Sequence, residues 1–256
     1  MTLLALENCT MQFGGLTAVS QLGFSLGLND LVGMIGPNGA GKTTVFNMIT
    51  GFYPPTTGDI RLEGRSLVGI KPHGIARLGI ARTFQNIRLC PSLSVFESAQ
   101  VAQAKSLSSG FVHATLGLKR CRQEEQSVHA AVDDILKFFD LDTLGAERST
   151  ALPYGNQRRL EIARALAAGP KLLLLDEPAA GLNPAEKLEL MQLIKTIRER
   201  FNIAILMIEH DMKVVMGICE RVLVLDYGVL IAEGTPEEIQ RHPKVIEAYL
   251  GEYAKD

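Results

Sequence analysis

Leu31-Val32-Gly33-Met34-Ile35 runs directly into Gly36-Pro37-Asn38-Gly39-Ala40-Gly41-Lys42-Thr43, and residues 43–50 that follow have helical character. An apolar strand, a glycine-rich turn fitting G-x-x-x-x-G-K-[ST] and a helix opening on the turn form the context in which this spacing grips phosphate. The glycines let backbone N–H groups turn inward on a β-phosphate, and the helix N-terminus adds partial positive charge. Lys42 has the reach for the β- and γ-phosphates, and Thr43 offers a hydroxyl to Mg²⁺. The stretch therefore predicts a nucleotide site in an α/β protein with a largely parallel sheet.

A second stretch, Leu172-Leu173-Leu174-Leu175-Asp176-Glu177, ends a buried-strand pattern in two carboxylates. Alone it reads as an acidic strand end in solvent. Alongside a phosphate loop it places Asp176 where α/β sheets put ligands, able to hold Mg²⁺ directly or through water. Glu177, one residue on, is the candidate general base for an attacking water. A GTPase would also carry an N/T-K-x-D tetrapeptide to read guanine, and none follows any predicted strand.

The rest of the chain fits a globular domain around such a site. At 256 residues with 46% hydrophobic and 21% charged residues, the chain buries one sizeable core, and this excludes a disordered polymer. Its 24 glycines and 11 prolines lack a three-residue period, which excludes collagen-like structure. With 26 basic against 28 acidic residues the net charge is -2, so no general field draws the chain to nucleic acid or acidic lipid, and an anionic ligand must be gripped locally. Cys9, Cys90, Cys121 and Cys219 form no CxxC pair, so reduced thiols are expected rather than a zinc ribbon or a disulfide framework. The first residues lack a signal peptide's basic start and cleavage site, and the uncharged stretch 8–29 is too rich in Asn, Thr, Gln, Ser and Gly for a membrane span. The expectation is an intracellular chain that relies on another protein for any membrane crossing.

Apolar runs at 172–175, 203–208 and 222–225 join Leu31–Ile35 as predicted buried strands, while 3–13, 16–28 and 58–63 read as an antiparallel flank. Between about 86 and 168 strand signals vanish. There Val128, Val132, Ile135, Leu136 and Phe139 recur at three- and four-residue spacing, the mark of an amphipathic helix. The charged run 119–125 reads as a solvated face. A second helix is expected over 157–168, stopped by Gly169-Pro170.

Four further motifs carry a resemblance to the ATP-binding subunits of ABC transporters. Arg82-Thr83-Phe84-Gln85-Asn86 is similar to the family's Q-loop. Leu152-Pro153-Tyr154-Gly155-Asn156-Gln157 stands in the place of the LSGGQ signature, Ala180-Gly181-Leu182-Asn183 in that of the D-loop, and His210 in that of the switch histidine. Phe13 matches the aromatic on which adenine stacks. The order and spacing of the motifs agree over essentially the whole chain. The resemblance implies a P-loop NTPase fold: a RecA-like α/β core with an antiparallel β flank, residues 1–85 and 169–256, interrupted by an α-helical subdomain at 86–168. It implies ATP and Mg²⁺ as ligands, with Gly36, Pro37, Asn38, Gly39, Ala40, Gly41, Lys42, Thr43 and Thr44 around the phosphates. Glu177, His210 and Gln85 would be catalytic, and Thr43, Gln85 and Asp176 would meet the metal. Two such subunits would pair head to tail, with Pro153, Tyr154, Gly155 and Asn156 of one facing the ATP of the other. His73, His113, His129 and His242 match nothing in the family pattern.

Departures from the general family pattern stand out. Pro153 replaces the signature serine, removing a hydroxyl and an N–H, Asn156 is unusual within the signature, and Asn183 replaces the usual D-loop aspartate, which implies a weaker contact between subunits there. At finer grain, Met11-Gln12-Phe13-Gly14-Gly15, Tyr154-Gly155 with Arg158-Arg159-Leu160-Glu161-Ile162, and Asp176-Glu177-Pro178-Ala179-Ala180-Gly181-Leu182-Asn183-Pro184 resemble the branch serving high-affinity branched-chain amino acid importers. That branch implies transmembrane permease subunits, a related second ATPase and an extracytoplasmic substrate-binding protein, with this chain peripheral on the cytoplasmic face of the plasma membrane. A urea, amide or lipopolysaccharide system, or a non-transport regulatory ATPase, remain alternatives. A nucleic-acid partner is not expected, as the chain has one cassette, a short helical insert and no evident basic face.

Overall fold

The computed structural model describes residues 1–103 and 119–253, and the chain divides into two compact units, Met1–Arg82 with Lys171–Asp256, and Thr83–Pro170. His113, Cys121 and the side chains of the charged run 119–125 lie outside the described residues.

The first unit begins with a hairpin, β1 (Thr2–Phe13) and β2 (Leu16–Gly27), followed by β3 (Leu31–Ile35) and α1 (Lys42–Ile49). Next come β4 (Thr57–Leu62), β5 (Arg65–Ser66), α2 (Pro72–Leu78) and β6 (Ile80–Arg82). In the second unit lie α3 (Val95–Gln103), α4 (Lys119–Phe138) and α5 (Tyr154–Ala167). The chain then returns to the first unit as β7 (Leu172–Asp176), α6 (Pro184–Phe201), β8 (Ala204–Ile208), α7 (Met212–Ile218), β9 (Arg221–Asp226), β10 (Val229–Gly234), α8 (Pro236–Gln240) and α9 (Pro243–Tyr253).

Two sheets share the core of the first unit. One has the order β2-β1-β4-β5 and is antiparallel where β1 meets β2 and β4 and where β4 meets β5. The other has the order β10-β9-β3-β8-β7-β6, with parallel pairing from β9 through β6 and β10 antiparallel at the edge. Every residue of β3, β7 and β8 is buried. Continuous Leu, Ile, Val and Met runs suit strands covered on both faces, whereas β2 alternates over its second half, with Leu22, Phe24 and Leu26 inside. Val45, Phe46, Met48 and Ile49 of α1 join Leu22, Leu26 and Leu206 in one apolar cluster. Each such side chain contributes about 1.5–3 kcal/mol on burial, so the helix behind the glycine turn is held firmly against the sheet. In register, Met34 and Asp176 both stand beside Ile208, so the glycine turn and the Asp176 carboxylate emerge at the same C-terminal edge.

In the second unit α3 packs on α4 and α5. Val128, Val132, Ile135, Leu136 and Phe139 are buried as their spacing requires, although α4 itself closes at Phe138. Among the described residues this unit has no strand, only an isolated bridge between Ser94 and Arg148.

The elements depart from the sequence expectations at two places that matter. The helix expected from Gln157 begins three residues earlier, with Pro153 as its N-cap and the Pro153 carbonyl accepting the first helical bond from Gln157 N–H at 3.0 Å. Proline is tolerated there because a helix start leaves N–H groups unpaired anyway. Tyr154, Gly155 and Asn156 are thus the first turn of α5 rather than a loop before it. The second place is β6, which the sequence does not announce: three residues ending in arginine are too short for a periodic signal.

Cys9, Cys90 and Cys219 are free thiols. Burial pushes the Cys219 thiol up to about 12, and burial raises Cys9 as well. The exposed Cys90 is lowered by its contact with the Ser92 hydroxyl at 3.2 Å. Iodoacetamide at mildly alkaline pH, followed by peptide mass spectrometry, is expected to modify Cys90 at least about tenfold faster than Cys9 or Cys219, since the thiolate is the reacting species. Equal rates would contradict the described burial.

Candidate functional site

The glycine turn owes its shape to positions where no side chain fits. Gly36 has φ +151°, and a Cβ there would lie 2.0 Å from the Leu225 carbonyl oxygen; Gly41, the N-cap of α1, has φ +99°. No side chain caps α1, so its first N–H groups face outward as an anion site. Lys42 Nζ donates to the carbonyls of Gly36 at 2.6 Å and Pro37 at 2.8 Å, which folds the ammonium over its own turn. The tip of the β9–β10 hairpin braces the turn from behind: Gly228 N–H donates to Ala40 O at 3.0 Å and Ser20 N–H to Gly228 O at 2.8 Å.

In front of the turn opens a cleft of about 450 Å³. Asn38, Gly39, Ala40, Gly41, Lys42, Thr43 and Thr44 line it together with Phe13 and Glu177. Phe13 is 40% exposed and meets Tyr53 edge-on, with ring centroids 5.3 Å apart at 85°, which leaves a face available for stacking. Thr17, Ala18 and Tyr227 line the cleft too and went unnoticed in the sequence. The detectable signal for Tyr227 was the Tyr-Gly pair between two apolar runs, a two-residue hairpin turn with φ +43° and +79°.

At the strand ends the carboxylates separate into distinct environments. The Asp176 carboxylate is almost enclosed and accepts from Arg82 Nη2 at 2.8 Å, a pairing fixed by β6 lying next to β7. Glu177 takes φ +48°, and its N–H donates to Ile208 O at 2.9 Å, extending the sheet ladder past the strand. An αL conformation at a non-glycine residue is a strained choice held by its surroundings, and such residues gather at functional sites. His210 Nδ1 lies 3.6 Å from Glu177 Oε2, and its side chain is 64% exposed.

Glu209, between these motifs, is 1% exposed. Its carboxylate accepts from Ala179 N–H at 2.7 Å and His210 N–H at 3.2 Å, so it ties the loop after β7 to the loop after β8. Burial raises its pKa above the ordinary carboxylate value, while those N–H donors oppose the shift. Asp211 caps α7 and is lowered, chiefly by Lys187 at 2.7 Å. Asn183, expected to weaken a subunit contact, is the N-cap of α6: its Oδ1 accepts from Ala185 and Glu186 N–H, and Glu186 returns a bond to Asn183 N–H. His129, in the second unit, pairs with Asp133 at 3.2 Å on an exposed helix face.

Gln85, Pro153, Tyr154, Gly155 and Asn156 belong to the second unit. There the Gln85 carbonyl accepts from Arg158 Nη2 at 2.9 Å, and Tyr154 stands 45% exposed at the start of α5.

Thr43 and Asp176 supply only hard oxygens, one hydroxyl and one carboxylate held in place by Arg82. That donor set fits Mg²⁺, which keeps waters and shares substrate phosphates rather than occupying an all-protein cage. The described residues contain no cluster of three His, Cys, Asp or Glu able to hold a metal alone.

Comparison with known proteins places this geometry in context. Residues 19–180 match the family described as ABC transporter, and residues 229–255 match the branched-chain amino acid ATP-binding cassette transporter family. The chain is 47% identical over 250 residues to the high-affinity branched-chain amino acid transport ATP-binding protein LivG of Salmonella typhimurium, covering 98% of each. It is 32% identical to the lipopolysaccharide export system ATP-binding protein LptB of Haemophilus influenzae over the full length of both. Among solved structures, an ATP-binding cassette of an ABC transporter in its ADP conformation superposes with TM-score 0.84 at 29% identity, covering 98% of this chain and 99% of the other.

Proposed function

The chain belongs to the ATP-binding proteins of the ABC transporter family and is an ATPase, and from this premise we propose that it powers uptake of branched-chain, hydrophobic amino acids. The observation that carries the cargo is the 47% identity, over 98% of both chains, to a protein named for that transport. The likeness to a lipopolysaccharide system is weaker, at 32%.

In this reading the triphosphate lies along residues 36–44, with Lys42 leaving its two carbonyls for the β- and γ-phosphates, and the adenine stacks on Phe13. Thr43 and Asp176 would hold Mg²⁺, which supplies charge neutralisation on the phosphates. Glu177 accepts the proton of the attacking water, and His210 positions the γ-phosphate side of the reaction. Gln85 reports nucleotide state from the second unit. Two ATPase subunits pair head to tail, so that the first turn of α5, from Tyr154 to Asn156, offers N–H groups to the partner's nucleotide. ATP binding to the closed pair alone would shift the equilibrium toward closure by its differential affinity. Permease subunits and an extracytoplasmic substrate-binding protein complete the importer, with this chain on the cytoplasmic face of the membrane.

The test is uptake of radiolabelled leucine, isoleucine and valine by cells lacking this gene, complemented with wild type or Lys42→Ala. Restoration by wild type and background uptake with Lys42→Ala is the expected result. Unchanged amino-acid uptake, with a defect in urea uptake or lipopolysaccharide transport instead, would overturn the cargo assignment.

A further inference from the structure

Within the second unit, the largest wholly buried side chain is charged. Arg158, on the second turn of α5, is 1% exposed and forms an ion pair with Glu161 one turn on, Nη1 to Oε2 at 2.8 Å, with Glu161 also 1% exposed. Both also bond the backbone of the Q-loop, while Arg158 Nε is buried with no hydrogen-bond partner. Arg158 Nη1 donates to Phe84 O and Nη2 to Gln85 O, each at 2.9 Å, and Glu161 Oε1 accepts from Phe84 N–H at 3.2 Å. A longer contact of 3.4 Å runs from Arg158 Nη2 to the Tyr154 hydroxyl, and the guanidinium carbon stands 6.0 Å from the centre of the Tyr154 ring.

A buried ion pair is poor evidence for stability, because desolvation offsets most of the attraction and apolar replacements often match it. What this pair does supply is geometry. The guanidinium fork addresses two successive carbonyls at once, a task lysine cannot perform, and the carboxylate closes the third bond. Five groups, two side chains and three backbone atoms, are fixed relative to one another across more than seventy residues of sequence.

We propose that Arg158 and Glu161 are positioning residues that lock the Phe84-Gln85 backbone to the first turn of α5, so that Gln85 and the signature turn move as one body. The nucleotide contact of Gln85 and the partner-facing contact of residues 154–156 are then set together, and neither loop reads ATP alone. This inference rests on the roles given above to Gln85 and the signature.

The test compares Arg158→Met/Glu161→Met, Arg158→Lys and Gln85→Ala in the full chain. Readouts are ATPase kinetics, thermal midpoint and hydrogen exchange of the peptide covering 83–88. Phe84 is half-buried and Gln85 exposed, so water can take over the abandoned carbonyls and the double variant is expected to melt within about 5 °C of wild type. Its kcat is expected to fall roughly tenfold to a hundredfold, the cost of misplacing a group by about an ångström, with KM for ATP unchanged because Phe13 and the phosphate loop are intact. The 83–88 peptide should lose protection, and adding Gln85→Ala to the double variant should cost little more. Arg158→Lys, which keeps a cation for Glu161 but only one carbonyl contact, is expected to fall between the two and carries the test should the double variant fail to fold. Unchanged kcat and unchanged exchange would overturn the lock. Lost protection with a fully active Gln85→Ala would leave the lock standing and overturn the role of Gln85.

Discussion

Glu177→Gln is expected to lower steady-state phosphate release at saturating Mg-ATP by at least about a hundredfold, the usual contribution of a positioned general base. The substitution is nearly isosteric. It keeps the side-chain volume, and the two interactions that hold the residue in its αL conformation use the backbone: the N–H bond to Ile208 O and the Glu177 carbonyl's bond from Ala180 N–H at 3.1 Å. What it removes is the ability to take a proton. Binding should survive, since Lys42 and the α1 N-terminus, which would meet the phosphates, are unchanged. The variant is therefore expected to accumulate as an ATP-bound dimer, seen as a doubling of mass by light scattering, while wild type returns to monomer as ATP is spent. Residual turnover within tenfold of wild type would remove Glu177 from the role of base. Loss of turnover without a trapped dimer would point to the signature: Pro153, which lacks both hydroxyl and N–H, would then leave self-pairing too weak, and a second kind of ATPase subunit would be needed to complete the site.

The features legible in the sequence are those encoded by neighbours. Residues 31–43 contain the strand, the glycine turn and the helix start in one unbroken stretch, and each part constrains the next. The same holds for Leu172–Asp176, whose burial on both faces follows from five residues of composition. Illegible are the contacts between residues that topology alone brings together. Glu209 reads as one more acid before a histidine, yet its partner is Ala179 N–H, thirty positions upstream, because β7 and β8 lie side by side. Asn183 stands in the sequence as a substitution of the D-loop aspartate, and nothing there shows that its amide oxygen caps α6. The start of α5 lies three residues before the expected Gln157 for a related reason: a proline suggests an interruption, whereas Pro153 at the N-cap is compatible with the helix that follows. Arg158 and Glu161 sit on a helix whose charged residues look solvated, and only the path of the Phe84-Gln85 backbone reveals why both are buried.

Arg82 is the strongest case of this kind, and Arg82→Met is expected to cause the largest loss of stability of any single change considered. It stands at the end of the three-residue strand β6, with its side chain and that of Asp176 each only 6% exposed. Nη2 pairs with Asp176 Oδ2 at 2.8 Å, Nη1 donates to Asn47 Oδ1 at 2.7 Å, and the guanidinium carbon lies 5.4 Å from the centre of the Phe46 ring. One side chain thereby joins the sheet edge, the helix behind the phosphate loop and the carboxylate assigned to the metal. Methionine fills the volume but leaves Asp176 with its nearest cation gone, and breaking a buried pair on one side costs about 3–5 kcal/mol. For a domain of this size that corresponds to a fall of roughly 6–20 °C in melting temperature, measured by differential scanning calorimetry without nucleotide. The pair makes a double-mutant cycle decisive. Asp176→Asn in the Arg82→Met background removes the stranded charge and is expected to restore part of the loss, a coupling that independent sites would not show. Arg82→Lys should lose less than methionine, because it keeps the charge opposite Asp176 but cannot also reach Asn47. A melting temperature unchanged in Arg82→Met would mean that water, rather than Arg82, satisfies Asp176, and Thr43 and Asp176 would then meet Mg²⁺ without any support from β6.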